Sequence, residues 1–156
     1  MRLLIREKIF TWADKFTVTD EHGEARYTVE GQFFSWGKKL RVYDLQGREV
    51  AYIEQKVMSF LPRYCVYVGE HLIGEVTKEI SFFHPRYSVR GAGWDVEGEF
   101  WEHNYTVFKN GRPIVSIDKD WFAWGDCYTL DIADPQDEIQ ALALVLAIDC
   151  AMETGD

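Results

Sequence analysis

The chain has little of what disulfide frameworks, metal sites and nucleic-acid surfaces are made from. It has only three cysteines, Cys65, Cys127 and Cys150, an odd and widely spaced set with no Cys-x-x-Cys pair. Such a set predicts small buried hydrophobes in a reducing, cytoplasmic compartment rather than bridges or a zinc site. The four histidines, His22, His71, His84 and His103, are scattered, and no two have the spacing of a metal pair on one helix, so neither a metal nor any other cofactor is expected. Cations are in the minority, 17 Lys and Arg against 26 Asp and Glu, for a net charge of −9. That balance excludes a general nucleic-acid binder, which must neutralise phosphates with Lys and Arg. The first residues, Met1 to Arg6, lack the apolar stretch of a leader. Long apolar runs are missing everywhere except near the C-terminal end.

That exception organises the rest. From Ala141 to Ile148 every residue is apolar, and eight consecutive helical positions cover all directions of a helical wheel, so this helix must be buried all round. Asp134 is placed to cap it, with Pro135 at the first helical position and Asp137 and Glu138 near the positive pole of its dipole. Its apolar length, about 21 Å at 1.5 Å per residue, falls short of a bilayer core of roughly 30 Å, so no transmembrane span is expected. Ala143, Ala147 and Ala151 would form a thin ridge on it. Asp149, near the helix end, is expected in solvent or against a basic partner.

The chain before residue 134 alternates apolar and polar residues in short runs such as Phe16-Thr17-Val18-Thr19 and Tyr128-Thr129-Leu130-Asp131-Ile132, the strand signature. Turn signals separate the runs at His22-Gly23, Gln46-Gly47, Gly69-Glu70 and Asn110-Gly111. The spacing predicts about twelve strands, at residues 2–8, 14–19, 25–31, 39–44, 49–57, 63–68, 71–78, 86–90, 94–98, 104–109, 113–118 and 127–132. A barrel of that size leaves a lumen its own side chains cannot fill, and a helix about 10 to 12 Å across fits one. The expected fold is therefore all-β with one helix: a closed twelve-stranded barrel enclosing a hydrophobic C-terminal α-helix, in a single domain over residues 1–156. The glycines at Gly91, Gly93 and Gly98 are expected at bends or bulges of the wall, since no apolar helix follows them to make a phosphate loop.

Tyr27-x-Val29-x-Gly31, Leu40-x-Val42-x-Asp44-x-x-Gly47, Ile53-x-Gln55-Lys56-x-x-Ser59 and Pro62-Arg63-Tyr64, followed by the terminal apolar helix, resemble the LURP-one-related family. That family is grouped with the Tubby C-terminal-like proteins and phospholipid scramblases, and the resemblance implies the same barrel around a helix. Its members mostly lack an established activity. Tubby domains bind phosphoinositides and scramblases are membrane-attached, so the resemblance implies peripheral membrane association and an anionic lipid head group as partner. The chain has neither a cysteine-rich acylation cluster nor an acidic calcium segment before a spanning helix, and scrambling and calcium dependence do not carry over.

Candidate head-group residues are the cluster Lys38, Lys39 and Arg41, with Arg63 and Arg86 at echoing Pro-Arg-Tyr positions. Arginine forks and lysine point charges suit phosphates, while salt bridging to surface carboxylates is the plainer use of the same residues. Trp36, Trp121 and Trp124 are candidates for an aromatic rim, or for caps on the barrel end. No nucleophile-elbow motif surrounds Ser59, Ser81 or Ser116, and no catalytic residues are assigned. The leading expectation is a non-enzymatic binding or adaptor module. Two alternatives stay open: an enzyme with a site assembled across strands, and a structural or stress-related module recognised by a protein partner.

Overall fold

A computed structural model describes residues 1–6, 15–34, 37–57, 60–61, 63–79, 86–91, 93–99, 104–120 and 127–154. Twelve strands run in the order β1(Arg2–Arg6), β2(Lys15–Asp20), β3(Ala25–Phe34), β4(Gly37–Tyr43), β5(Glu49–Gln55), β6(Arg63–Val68), β7(His71–Glu79), β8(Arg86–Arg90), β9(Trp94–Glu99), β10(Asn104–Lys109), β11(Arg112–Asp120) and β12(Cys127–Ile132). A short 3₁₀ turn, Pro135–Asp137, leads into α1(Glu138–Thr154). The strands form one antiparallel sheet in the spatial order β8-β7-β6-β5-β4-β3-β2-β1-β12-β11-β10-β9. The barrel and its helix are thus those the alternating pattern predicts.

Alternation decides what faces the lumen. Along β1, Leu3 and Ile5 are buried while Arg2 and Arg6 are exposed; along β12, Tyr128, Leu130 and Ile132 are buried. Helix α1 fills the space they enclose, and Leu142, Leu144, Leu146 and Ile148 have no exposed surface at all. The helix runs closest to β5, β6 and β7. Its start is tied down as the sequence suggests: Asp134 caps the 3₁₀ turn, its carboxylate accepting from Gln136 N–H at 2.9 Å. Arg26 of β3 then donates to both carboxylate oxygens of the buried Glu138, at 2.9 and 3.1 Å. Burial, followed by the Glu138 charge, pushes the neighbouring Tyr27 phenol well above its ordinary pKa.

Of the two placements expected of Asp149, solvent or a basic partner, the first does not hold. Asp149 lies not in solvent but 5% exposed inside the barrel, near Tyr105, whose phenol is raised by burial and then by the Asp149 charge. The all-round burial that the apolar run requires extends past Ile148 and takes this carboxylate in with it.

The two ends of the barrel differ. At the turn end, where α1 begins, strands are joined by tight hairpins: Gly23 and Gly47 adopt φ of 83° and 80°, and Asn110 adopts 53°. Register shifts fall one or two residues before these hairpins, at Val18/Thr19, Val42/Tyr43, Val66/Tyr67 and Val107/Phe108. None of these register shifts falls at Gly91, Gly93 or Gly98; of the bends or bulges expected there, Gly91 lies at a bend and Gly93 in a turn. Gly98 instead permits close approach, because a Cβ there would stand 2.4 Å from Asn104 O. The opposite end is where α1 finishes, and it is called the helix-exit end below.

Among the described residues, the ladder is interrupted once. β8 and β9 are neighbours in space and consecutive in sequence, yet they are the two ends of the hydrogen-bonded order. Trp94 of β9 spans this seam, its indole N–H donating to Ile73 O on β7 at 2.7 Å. Ile73 is the extra residue between the Val66↔Gly74 and Tyr67↔Leu72 pairs, so a bulge turns its carbonyl out of the β6 ladder and the indole satisfies it. The ring lies against Gly74 and Gly91, where added Cβ atoms would sit 3.5 and 2.9 Å from its Cδ1. Lys109 Nζ stands 4.8 Å from the ring centre.

Candidate basic rim at the helix-exit end

Strand direction gathers most of the candidate cations. β4, β6 and β8 all start at the helix-exit end, and Lys38, Lys39, Arg63 and Arg86 are among their first residues. Arg41 lies further along β4. Trp36, Trp121 and Trp124 lie outside the described residues, as does the side chain of Arg86, whose backbone pairs with Glu79 by register.

Period two then divides what the sequence groups together. Leu40 and Val42 face the lumen, so Lys38 shares their face, while Lys39 and Arg41 face outward. Adjacent lysines therefore serve opposite sides of the wall, and Lys38 with Lys39 cannot form one surface patch. The Lys38 amide donates to Gln55 Oε1 at 3.0 Å. On the outer face, register sets Lys39 opposite Glu54, Glu54 opposite Cys65 and Cys65 opposite Glu75.

The outer cations are committed to different degrees. Arg41 is held tightly, with Nε 3.0 Å from Glu49 Oε1 and Cζ 4.8 Å from the centre of the Tyr52 ring. Arg63 is held loosely: Nη1 stands 3.8 Å from Glu75 Oε2, and Nε, though buried, has no hydrogen-bond partner. Its register partner Thr77 likewise has a buried Oγ1 without one. Among the described residues, no ion pair holds Lys39. The plain reading of surface cations as salt-bridge partners thus describes Arg41 well and Lys39 poorly.

Two residues absent from the sequence-based candidates join this rim. Lys56 extends β5, its N–H donating to Arg63 O at 2.8 Å in a last rung. Its ammonium lies 3.7 Å from Glu54 Oε2, whose charge raises its pKa. Phe60, in the β5–β6 connection, is 95% exposed. A cation two residues after a carboxylate and a lone phenylalanine leave no periodic signal, so only the position of the last rung singles them out.

Cys65, between these strands, is a structural thiol. It is buried and directed at Glu75 Oε1, 3.6 Å away, and burial followed by that charge pushes its pKa up. A thiol held protonated is a poor nucleophile and a poor metal ligand. Among the described residues, no three His, Cys, Asp or Glu side chains converge as a metal site, and no helix is long and apolar enough to cross a membrane.

The sequence pattern of the LURP-one-related family matches residues 1–149. The chain belongs to the LURP-one-related family. Within reach of it is YxjI of Bacillus subtilis (strain 168), described as an uncharacterised protein, 33% identical over 152 residues that cover 97% of this chain and 94% of YxjI. An Arabidopsis thaliana protein of known X-ray structure shares the fold, with a TM-score of 0.59 at 16% identity over 96% of this chain and 90% of its own. The family thus accounts for the architecture of the LURP-one-related barrel seen here.

Proposed function

We propose that this LURP-one-related chain is a binding module that docks its helix-exit end on an anionic surface of phosphorylated lipid head groups. The observation that carries the reading is the placement of Lys39, Lys56 and Arg63 on the outer face of three successive strands at that end. Lys39 is in no ion pair among the described residues and Arg63 only in a long one, 3.8 Å to Glu75, so both cations have charge to offer a phosphate oxygen. The turn-end hairpins carry Asp20, Glu21, Glu24 and Asp44, and in a protein of net charge −9 any docking on an anionic surface must rest on a local group of cations.

Co-sedimentation with neutral, generally anionic and phosphoinositide vesicles tests the reading. Each cation near an anionic membrane contributes about 1 kcal/mol, so Lys39→Ala/Arg63→Ala should weaken binding to anionic vesicles roughly 30-fold. Binding should fall as salt rises, since exposed charges are screened over about 8 Å at physiological ionic strength. Equal binding to neutral vesicles, or full binding by the double variant, would reject the basic rim as the site.

A further inference from the structure

We infer that Val57 and Phe60, between β5 and β6, are membrane-inserting side chains: both enter the interfacial layer of an anionic bilayer while Lys56 and Arg63 hold head-group phosphates at their base. The inference rests on the docking reading above and assigns the contact to one connection of the rim.

The geometry has the vertical order of a bilayer surface. The Lys56 to Arg63 rung, 2.8 Å long, is the last in this pair of strands, and the apolar residues lie beyond it. Phe60 is 95% exposed and Val57 50% exposed, three residues apart. Among the described residues, the other large exposed apolar side chains are Leu45 and Leu72, at separate positions toward the turn end, Leu45 directly after Asp44. A side chain so exposed adds nothing to the core, and keeping a phenyl ring in water is unfavourable until something covers it.

Charge selects the bilayer as the cover. The segment Lys56 to Arg63 contains no carboxylate, in a chain with 26 of them. Cations flanking an apolar tip repel most basic surfaces and suit a layer of phosphates above hydrocarbon, into which Lys and Arg stems can lie while their heads stay at the phosphates. The base is firm as well. Val57 lies against Gly37, where a Cβ would come within 3.1 Å of Val57 Cγ1, so the start of β4 braces Val57.

The test uses the full chain and vesicles of phosphatidylcholine with added phosphatidylserine or phosphoinositide. Phe60→Ala should weaken partition about tenfold, with the loss persisting at high salt because it removes apolar burial rather than charge. Phe60→Leu should restore most of it. Lys56→Ala/Arg63→Ala should lose binding mainly at low salt, and all three chains should melt as wild type does, or within a few degrees. If wild type binds and Phe60→Ala binds equally well, the tip is wrong and the docking reading survives. If wild type binds none of the vesicles, both are wrong. Binding unaffected by Lys56→Ala/Arg63→Ala would remove the base of the tip and overturn the assignment.

Discussion

Asp20 and Asp44 build two hairpins to the same plan. Each carboxylate accepts from the amides two and four residues on: His22 and Glu24 at 2.9 Å in the first, Gln46 at 2.9 Å and Arg48 at 3.0 Å in the second. A glycine three residues on, Gly23 or Gly47, donates back to the aspartate carbonyl at 3.1 Å. Backbone hydrogen bonds to the ionised form hold both carboxyls below their usual pKa. A carboxyl whose folded pKa is depressed stabilises the fold above its unfolded pKa, near 3.9, and loses that contribution as pH falls through the folded value. Asp44→Ala should therefore lower the melting temperature at pH 7, and the gap to wild type should narrow at pH 3. Thermal melts followed by circular dichroism at the two pH values check this; a gap that stayed constant would mean the ionised carboxylate is not what secures the turn. At this scale the sequence marks both glycines as turn signals and Asp44 within the Asp44-x-x-Gly47 motif, but it does not mark Asp20, whose matching role follows from the backbone geometry of its turn.

Elements were legible where period was strong. β6, β8, β10 and β12 have the bounds that alternation predicts, and α1 follows from an apolar run with a cap. What alternation cannot express is which consecutive strands fail to pair. β8 and β9 are consecutive strands separated by the glycines Gly91 and Gly93, yet no ladder joins them among the described residues. Trp94, a core residue, is the link across that seam. Trp94→Phe would keep most of the ring packing and orphan the Ile73 carbonyl, at a cost of about 1 to 3 kcal/mol. Amide exchange in β8 and β9 should then quicken by about tenfold or more while the β1–β12 pair stays protected. Uniform quickening over all strands would mean that Trp94 supports the core as a whole rather than the seam. The cations illustrate the same limit: Lys38 and Lys39 are neighbours in sequence and face opposite ways, and only the pairing of β4 assigns each its side.

For the molecule as a whole, wall and helix are stable only together. The lumen is lined by residues such as Val29, Val66 and Leu130 with no exposed surface, and α1 covers them. A chain ending at Asp134 should be insoluble or molten, with collapsed amide dispersion in a nitrogen–proton spectrum; sharp, dispersed signals and a cooperative melt would show that the barrel can close on itself. The twelve-strand count and the buried helix were readable together because each implies the other's dimensions. The ligand was not, since a head-group site requires only a few cations on one face, and face is a property of register.

The interrupted ladder also bears on how the chain is made. Every hydrogen-bonded pair of strands is consecutive in sequence except β1 with β12, so the wall is two meanders, β1 to β8 and β9 to β12, joined at their oldest and youngest strands. Arg2 meets Asp131 at 2.7 Å across a separation of 129 residues. At ribosomal speeds β1 waits on the order of ten seconds with one edge bare, and the charges of Arg2 and Arg6 on it discourage pairing with another nascent chain. β12 ends at Ile132 and α1 begins at Glu138. The strand that closes the wall therefore leaves the ribosome just ahead of the helix that fills it, and the interval in which the barrel could stand complete but empty is short.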